Sequence, residues 1–162
     1  MSYPSERFSG PHGQVSAVLR RETSVPDLVM PTAQVHHLAT GASTGGDFGL
    51  YRWEMPGPPS GPKPHFHRTI SESFYVLVGT VRLYDGARWV DAGPGDFLHV
   101  PPGGTHAFRN DSGEPASMLL LFTPGAPREA YFAELAEIAA TGRELTAEQW
   151  TELYARHDQY EV

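Results

Sequence analysis

The sequence predicts an all-β domain, a small closed barrel or double-sheet jelly roll, followed by an α-helical tail. Three observations carry that prediction. Seventeen glycines and 15 prolines in 162 residues punctuate short apolar stretches at regular intervals, the pattern of many tight turns rather than of disorder. Asp85-Gly86 separates two β-like runs and is a strong hairpin signal. After Pro124-Gly125 the apolar spacing changes from alternation to a helix face.

Taken in order, residues 1–32 read as an N-terminal arm, polar with scattered Gly and Pro and the pair Arg20-Arg21. The barrel is expected over 33–125. Its candidate strands are 33–39, 47–55, 72–78, 81–84, 88–91, 96–100, 106–108 and 116–123, separated by turns such as Gly45-Gly46, 56–64, Gly93-Pro94-Gly95 and 101–104. Short strands at this spacing suit a barrel or jelly roll. The tail, 126–162, holds two helices. In the first, Phe132, Leu135, Ile138 and Ala139 fall at helical spacing, with Pro127 suited to the first turn and Gly142 to the stop. In the second, Thr146 and Gln149 form a capping box ahead of an apolar face of Trp150, Leu153 and Tyr154.

Composition excludes several classes of function. Twelve basic against 19 acidic residues give a net charge of −7, and Lys63 is the only lysine. A net-acidic chain without a basic run lacks the electrostatic footprint of a nucleic-acid or membrane-surface binder. There are no cysteines, which removes disulfides, zinc–thiolate sites and thiol nucleophiles. The first residues lack the basic and apolar regions of a signal peptide. The longest apolar run, Met118 to Phe122, is five residues, far short of the ~20 a membrane helix needs. The expectation is a cytoplasmic protein.

Two segments carry chemistry. The first is His65-Phe66-His67, then Glu72 after four residues and Gly79 after six more. The second is Gly95, Pro101, Gly103, His106 and Asn110, and fifteen residues separate Gly79 from Gly95. Residues two apart on a strand share a face, so His65 and His67 point the same way. Glu72 joins them after a short bend, and Gly103-Gly104 permits the turn that returns His106 from a neighbouring strand. Three imidazoles and a carboxylate suit one divalent transition metal among Fe, Mn, Co, Ni, Cu and Zn.

Both segments resemble the two motifs of the cupin superfamily, with the short inter-motif segment usual in microbial members; the resemblance covers roughly residues 40–123. It implies a small double-stranded β-helix barrel in which His65, His67, Glu72 and His106 occupy the four metal-ligand positions. Pro59 stands where the family has a glycine before the first histidine, with Gly57 and Gly61 nearby; this touches the entering loop, not a ligand. The run from Gly95 to Gly103 and the helical tail are similar to single-domain bacterial cupins of the quercetin dioxygenase kind. The bland alternative is a structural barrel that keeps the ligand residues without a functional metal.

Alternation extends the site to a candidate pocket. With Glu72 inward, Phe74, Val76 and Val78 follow, and Tyr75 and Leu77 face out. With His106 inward, so is Phe108. Tyr51, Trp53 and Met55 share one face of their strand and line an aromatic cavity, or simply fill the core. His99 is placed with the pocket residues as a candidate acid–base group, but an outward or packed position is the favoured reading, since alternation does not carry across the Gly103-Gly104 turn. Arg52 and Arg109 are the cations near the mouth that could pair a carboxylate, and exposed surface roles suit them equally well. An aromatic or apolar small-molecule substrate is favoured over a highly charged one. The outward Tyr75 and Leu77 and the two helix faces predict a homodimer.

The leading expectation is a quercetinase-like dioxygenase, with Glu72 both ligand and catalytic base, its pKa raised by a dry pocket. The alternatives are an oxygen-independent metal-dependent isomerase, decarboxylase or cyclase, and a non-catalytic ligand-binding module.

Overall fold

The structure is a computed structural model that describes residues 3–21 and 25–162. In chain order the elements are β1 (Leu28–Met30), β2 (Ala33–Ala39), β3 (Gly49–Met55), β4 (His65–Phe66), β5 (Ser71–Val78), β6 (Val81–Tyr84), β7 (Trp89–Ala92), β8 (Phe97–Val100), β9 (Ala107–Arg109), β10 (Ala116–Thr123), α1 (Arg128–Thr141), α2 (Ala147–Arg156) and β11 (Tyr160–Glu161). Among the described residues these strands form a six-stranded sheet in the order β1-β2-β3-β10-β5-β8, a three-stranded sheet β7-β6-β9 and a two-stranded ribbon β11-β4. Every strand pair is antiparallel. The fold class is all-β with a helical tail.

Strand alternation builds the interior. Along β3, Tyr51, Trp53 and Met55 are buried while Arg52 and Glu54 are half-buried; along β10, Ala116, Met118, Leu120 and Phe122 are buried. Cross-strand register then stacks Met118 on Trp53 and Leu120 on Tyr51 and Phe74, the same-face neighbours that stabilise a sheet. The two larger sheets meet through rings. Phe108 on β9 lies 5.9 Å from both Trp53 and Phe74, measured between ring centroids. The hairpin of β6 and β7 turns at Asp85, whose carboxylate accepts from the Ala87 and Arg88 amides. Gly79, between β5 and β6, has φ 73°, and a Cβ there would meet the Pro115 carbonyl, so the turn requires glycine.

Two expectations need correction. Val78 is not inward but 57% exposed. Register shifts between Ser117 and Met118, so that Val78 lies opposite Ser117 while Val76 lies opposite Met118; this irregularity turns Val78 to the outer face. Within the segment read as an arm, residues 28–30 form β1 on the edge of the large sheet. Three residues ending at Pro31 are too short for a periodic signal.

The tail is part of the barrel's wall. α1 starts at Arg128 and stops at Gly142, which adopts φ 65° as its C-cap. Phe132 closes the open end of the barrel, 5.3 Å from Tyr51 and 5.1 Å from Trp53 between ring centroids. The Tyr51 hydroxyl donates to Glu129 at 2.6 Å. α2 begins with the reciprocal capping box of Thr146 and Gln149. The chain then returns to the barrel as β11, which pairs with β4 and stacks Tyr160 on Phe66. No helix among the described residues is long and apolar enough to cross a membrane.

Candidate metal centre and its cavity

Four elements bring the two motifs together. His65 and His106 exchange backbone hydrogen bonds of 2.9 and 2.8 Å, and the Gly103 amide donates to the His67 carbonyl at 2.7 Å. Phe66, between His65 and His67, faces the other way onto Tyr160. Glu72 enters from β5, opposite Phe122 on β10 and Val100 on β8. All four side chains are buried, and each offers a ligand atom within 4.8 Å of the others.

Each imidazole is oriented by a carbonyl. His65 Nδ1 lies 2.8 Å from the Lys63 oxygen, His67 Nδ1 2.6 Å from the Asp158 oxygen and His106 Nδ1 2.9 Å from the Gly104 oxygen. A carbonyl only accepts, so each Nδ1 carries the proton and each Nε2 presents a lone pair to the shared centre. Nε2 of His67 and of His106 both sit 2.9 Å from Glu72 Oε2. Lone pairs aimed at a carboxylate repel unless a positive charge lies among them. A cation held by three imidazole nitrogens and one carboxylate resolves the conflict, so the donor set fits a divalent transition metal. The buried group could hold such a metal; its identity is not fixed by these ligands.

Burial disfavours a charged His106, but the hydrogen bond and charge of Glu72 outweigh it and raise its pKa. Burial likewise opposes ionisation of Glu72, yet the hydrogen bonds and charges of His106 and His67 hold its carboxyl well below the usual carboxylate range. The expectation that a dry pocket raises the Glu72 pKa is therefore overturned, because two imidazoles face the carboxylate. His65 has no such contact, and burial lowers it to about 4.

A cavity of about 320 Å³ opens beside the cluster, with His65 and Glu72 in its wall. The barrel contributes Trp53, Phe108, Leu120 and Phe122; the tail contributes Arg128, Tyr131, Phe132, Leu135, Tyr154 and Gln159. Of the residues expected to line a pocket, Trp53 and Phe108 do so. Tyr51, Met55, Phe74 and Val76 are almost fully buried in the core instead: Phe132 and Phe122 cover the Tyr51 ring, and Phe74 lies behind His106 and Phe108. His99 takes the outward position of its two readings and not the pocket one. It is exposed on β8, opposite Ser73, and its Nδ1 meets the Ser73 hydroxyl at 2.9 Å on the outer face.

Of the two readings of Arg52 and Arg109, the surface one holds. Arg52 pairs with Glu54 and Arg109 with Asp111, and neither lines the cavity. Arg128 does, and it is only 4% exposed. One signal pointed to it: a cation in the first turn of a helix opposes the helix dipole and so calls for a specific reason.

Residues 52–122 match the family model for the cupin domain, Cupin_2. Over 108 residues the chain is 33% identical to a quercetin 2,3-dioxygenase of Bacillus subtilis; the match covers 63% of this chain and 30% of that protein, so the chain spans under a third of its length. The ectoine synthase of P. lautus superposes with a TM-score of 0.60 at 14% identity, covering 74% of this chain and 87% of that one. A cupin-superfamily sugar phosphate isomerase from Silicibacter pomeroyi superposes with a TM-score of 0.50 at 27% identity, covering 70% of this chain and 75% of that one. With the motif residues converging as described, the barrel is a cupin domain, matched to that family over residues 52–122.

Proposed function

We propose that the chain is an oxygen-dependent metalloenzyme of the quercetinase kind, acting on an aromatic or enediol small molecule. The observation that carries this reading is the His65–His67–Glu72–His106 cluster in the wall of an aromatic-lined cavity; the 33% identical dioxygenase supports it. A divalent transition metal on those four residues would supply Lewis-acid polarisation of an enolate or phenolate oxygen and redox capacity toward dioxygen. The chain's own residues do the rest. Glu72 is ionised at neutral pH, the form that accepts a proton. Both of its hydrogen bonds use Oε2, which leaves Oε1 to take a substrate hydroxyl proton. Trp53, Phe108 and Tyr131 flank the space for a planar ring, and Phe132 excludes water from the barrel side.

Metal-loaded protein incubated with flavonols and related enediols, in air and without oxygen, tests the reading. Product formation that requires both metal and oxygen is the expected result. Turnover indifferent to oxygen, or none with any metal loaded, overturns it.

An oxygen-independent isomerase, decarboxylase or cyclase is the second reading, supported by the likeness to the sugar phosphate isomerase at 27% identity. It needs a proton carrier beside the cluster, and His99 is on the wrong face to serve. Deuterium entering a candidate substrate without oxygen uptake would favour it; tight retention without conversion would favour a binding module. For assembly we propose a pair of copies joined through the outer face of β5 and β8, where Tyr75 and Phe97 lie side by side at 42% and 62% exposure. The helix faces do not contribute, since Phe132, Ile138 and Leu153 are buried within their own chain. Light scattering that returns a monomer removes the pair.

A further inference from the structure

Arg128 is a buried cation that forms no direct ion pair among the described residues, although the charges of Glu72 and Asp158 act on it from farther off. Its guanidinium donates from Nη1 to the His157 carbonyl at 2.7 Å and from Nη2 to Gln159 Oε1 at 3.4 Å, both neutral acceptors. That uses two of five N–H donors, and its Nε has no hydrogen-bond partner. Three rings enclose it: the Cζ atom lies 4.4 Å from the Tyr131 centroid, 5.0 Å from Phe122 and 5.6 Å from Phe132. Burial holds the Tyr131 phenol well above its ordinary range, so that ring carries no charge either. The two carboxylates in the cavity wall are committed elsewhere, Glu72 to His67 and His106 and Glu161 to Lys63. Aromatic faces stabilise a guanidinium, but they do not satisfy its in-plane donors, and an uncompensated charge is costly to bury.

We propose that Arg128 is the seat for a carboxylate of the ligand, so that the cavity takes a planar, aromatic carboxylic acid. The guanidinium lines the same cavity as His65 and Glu72. Its unspent, planar donors match a carboxylate in geometry as well as charge. The ligand's apolar body lies among Trp53, Phe108 and Leu135, and its far edge faces the histidine cluster. Which end of the ligand meets the cluster rests on the metalloenzyme reading above; the seat for the carboxylate does not. A metal on the cluster would add further positive charge to the same closed space and strengthen the demand for an anion. The substrate class thereby narrows from the aromatic or apolar molecules favoured by the alternation-derived pocket to aromatic acids.

The test compares benzoate with benzamide, which share shape and differ in charge. Full-length protein, as purified and after chelation, is titrated with each by calorimetry. Benzoate should bind tighter by about tenfold or more, the increment of a charge-assisted pair, and the preference should persist after chelation. Arg128→Gln should remove the preference, with benzoate losing far more affinity than benzamide, and Arg128→Lys should retain part of it. Should Arg128→Gln fail to fold, wild type labelled with ¹⁵N-arginine supplies the answer: the Nε–H resonance that Arg128→Lys removes should shift with benzoate and not with benzamide. Equal affinities, a preference that vanishes on chelation or survives Arg128→Gln, an unmoved resonance, or no binding of either compound at millimolar concentration overturns the proposal. Loss of oxygen-dependent turnover would remove the enzyme reading and leave the benzoate preference standing.

Discussion

The cavity's floor and its lid are secured over very different distances along the chain. At the floor, His65 and His106 are oriented by carbonyls two residues away, Lys63 and Gly104. At the lid, Tyr51 reaches Glu129 across 78 residues, and the Thr69 hydroxyl reaches Asp158 across 89. His67 is the exception among the ligands, since its Nδ1 donates to Asp158, 91 residues on. The floor is therefore assembled within residues 63–106, with one strut from the tail at Asp158, whereas the lid joins the barrel to the tail throughout. Damage to the floor should abolish metal binding with little effect on closure. Damage to the lid should cost stability and disturb a single ligand.

Removing a floor ligand should have the largest effect. His106→Ala takes away an imidazole and leaves Glu72 with one partner. Losing a residue that merely orients a ligand costs about 10–100-fold in metal affinity, so losing a ligand should exceed about 100-fold. Elemental analysis of protein purified without chelator reads this directly, and full occupancy in His106→Ala would show that the four residues are not the metal's ligands. At the lid, Phe132→Ala should cost about 3–5 kcal/mol in denaturant unfolding, because its 3% exposed ring packs on Tyr51, Trp53 and Phe122. Metal content should survive that change. A cost below about 1 kcal/mol would mean that the lid is not packed on the barrel.

The same division explains what could be read in the sequence. His65, His67, Glu72 and His106 were legible because strand period and glycine turns fix which residues share a face within a motif. The capping box of Thr146 and Gln149 was legible for the same reason, since it spans three residues. The cavity wall was not. Alternation tells which side chains of β3 point inward, but not that Phe132 would cover Tyr51 and leave Trp53 at the cavity surface. Nor does helical spacing tell what a helix packs against: the faces of α1 and α2, read as an interface between copies, close their own barrel. Arg128 lies at the extreme of this difficulty, since its meaning depends on three rings and a tail that meet only in the folded chain.

The strut between floor and lid is Asp158. Its backbone sits at φ 55°, a left-handed conformation that Asp tolerates better than most residues. Its carboxylate braces the Arg68 and Thr69 amides at 3.0 and 2.8 Å, while its carbonyl orients His67. Asp158→Ala should weaken metal binding about tenfold, within the range for residues that orient a ligand, and far less than His106→Ala. Competition against a chromophoric chelator measures the difference. Equal losses in the two variants would show that floor and lid are not separable.

The smallest effect should appear where the two helices of the lid are joined. Glu134 on α1 accepts from Arg156 at 2.6 Å and faces His157 Nε2 at 2.9 Å, both at the end of α2. The hydrogen bond from His157, aided by the charges of Arg156, His157 and Arg143, lowers the Glu134 pKa below its ordinary 4.5 despite some burial. A carboxylate depressed in the folded state binds fewer protons than in the unfolded chain. Its contribution to stability is thus fully present above the ordinary carboxylate value and is lost as pH falls through the lower folded one. Other carboxylates titrate in the same window, so the informative quantity is the difference between wild type and Glu134→Gln. At neutral pH the variant should be slightly less stable, by about 0.5–1 kcal/mol for a partly exposed pair. As pH falls from about 4.5 through the lower folded value the gap should narrow and then close, because protonation neutralises Glu134 in the wild type as well. Thermal melts at neutral and acid pH read both values, with metal content unchanged throughout. A gap that stays constant across pH would mean that the ion pair does not hold the helices together, and a gap accompanied by metal loss would tie α2 to the floor rather than to the lid.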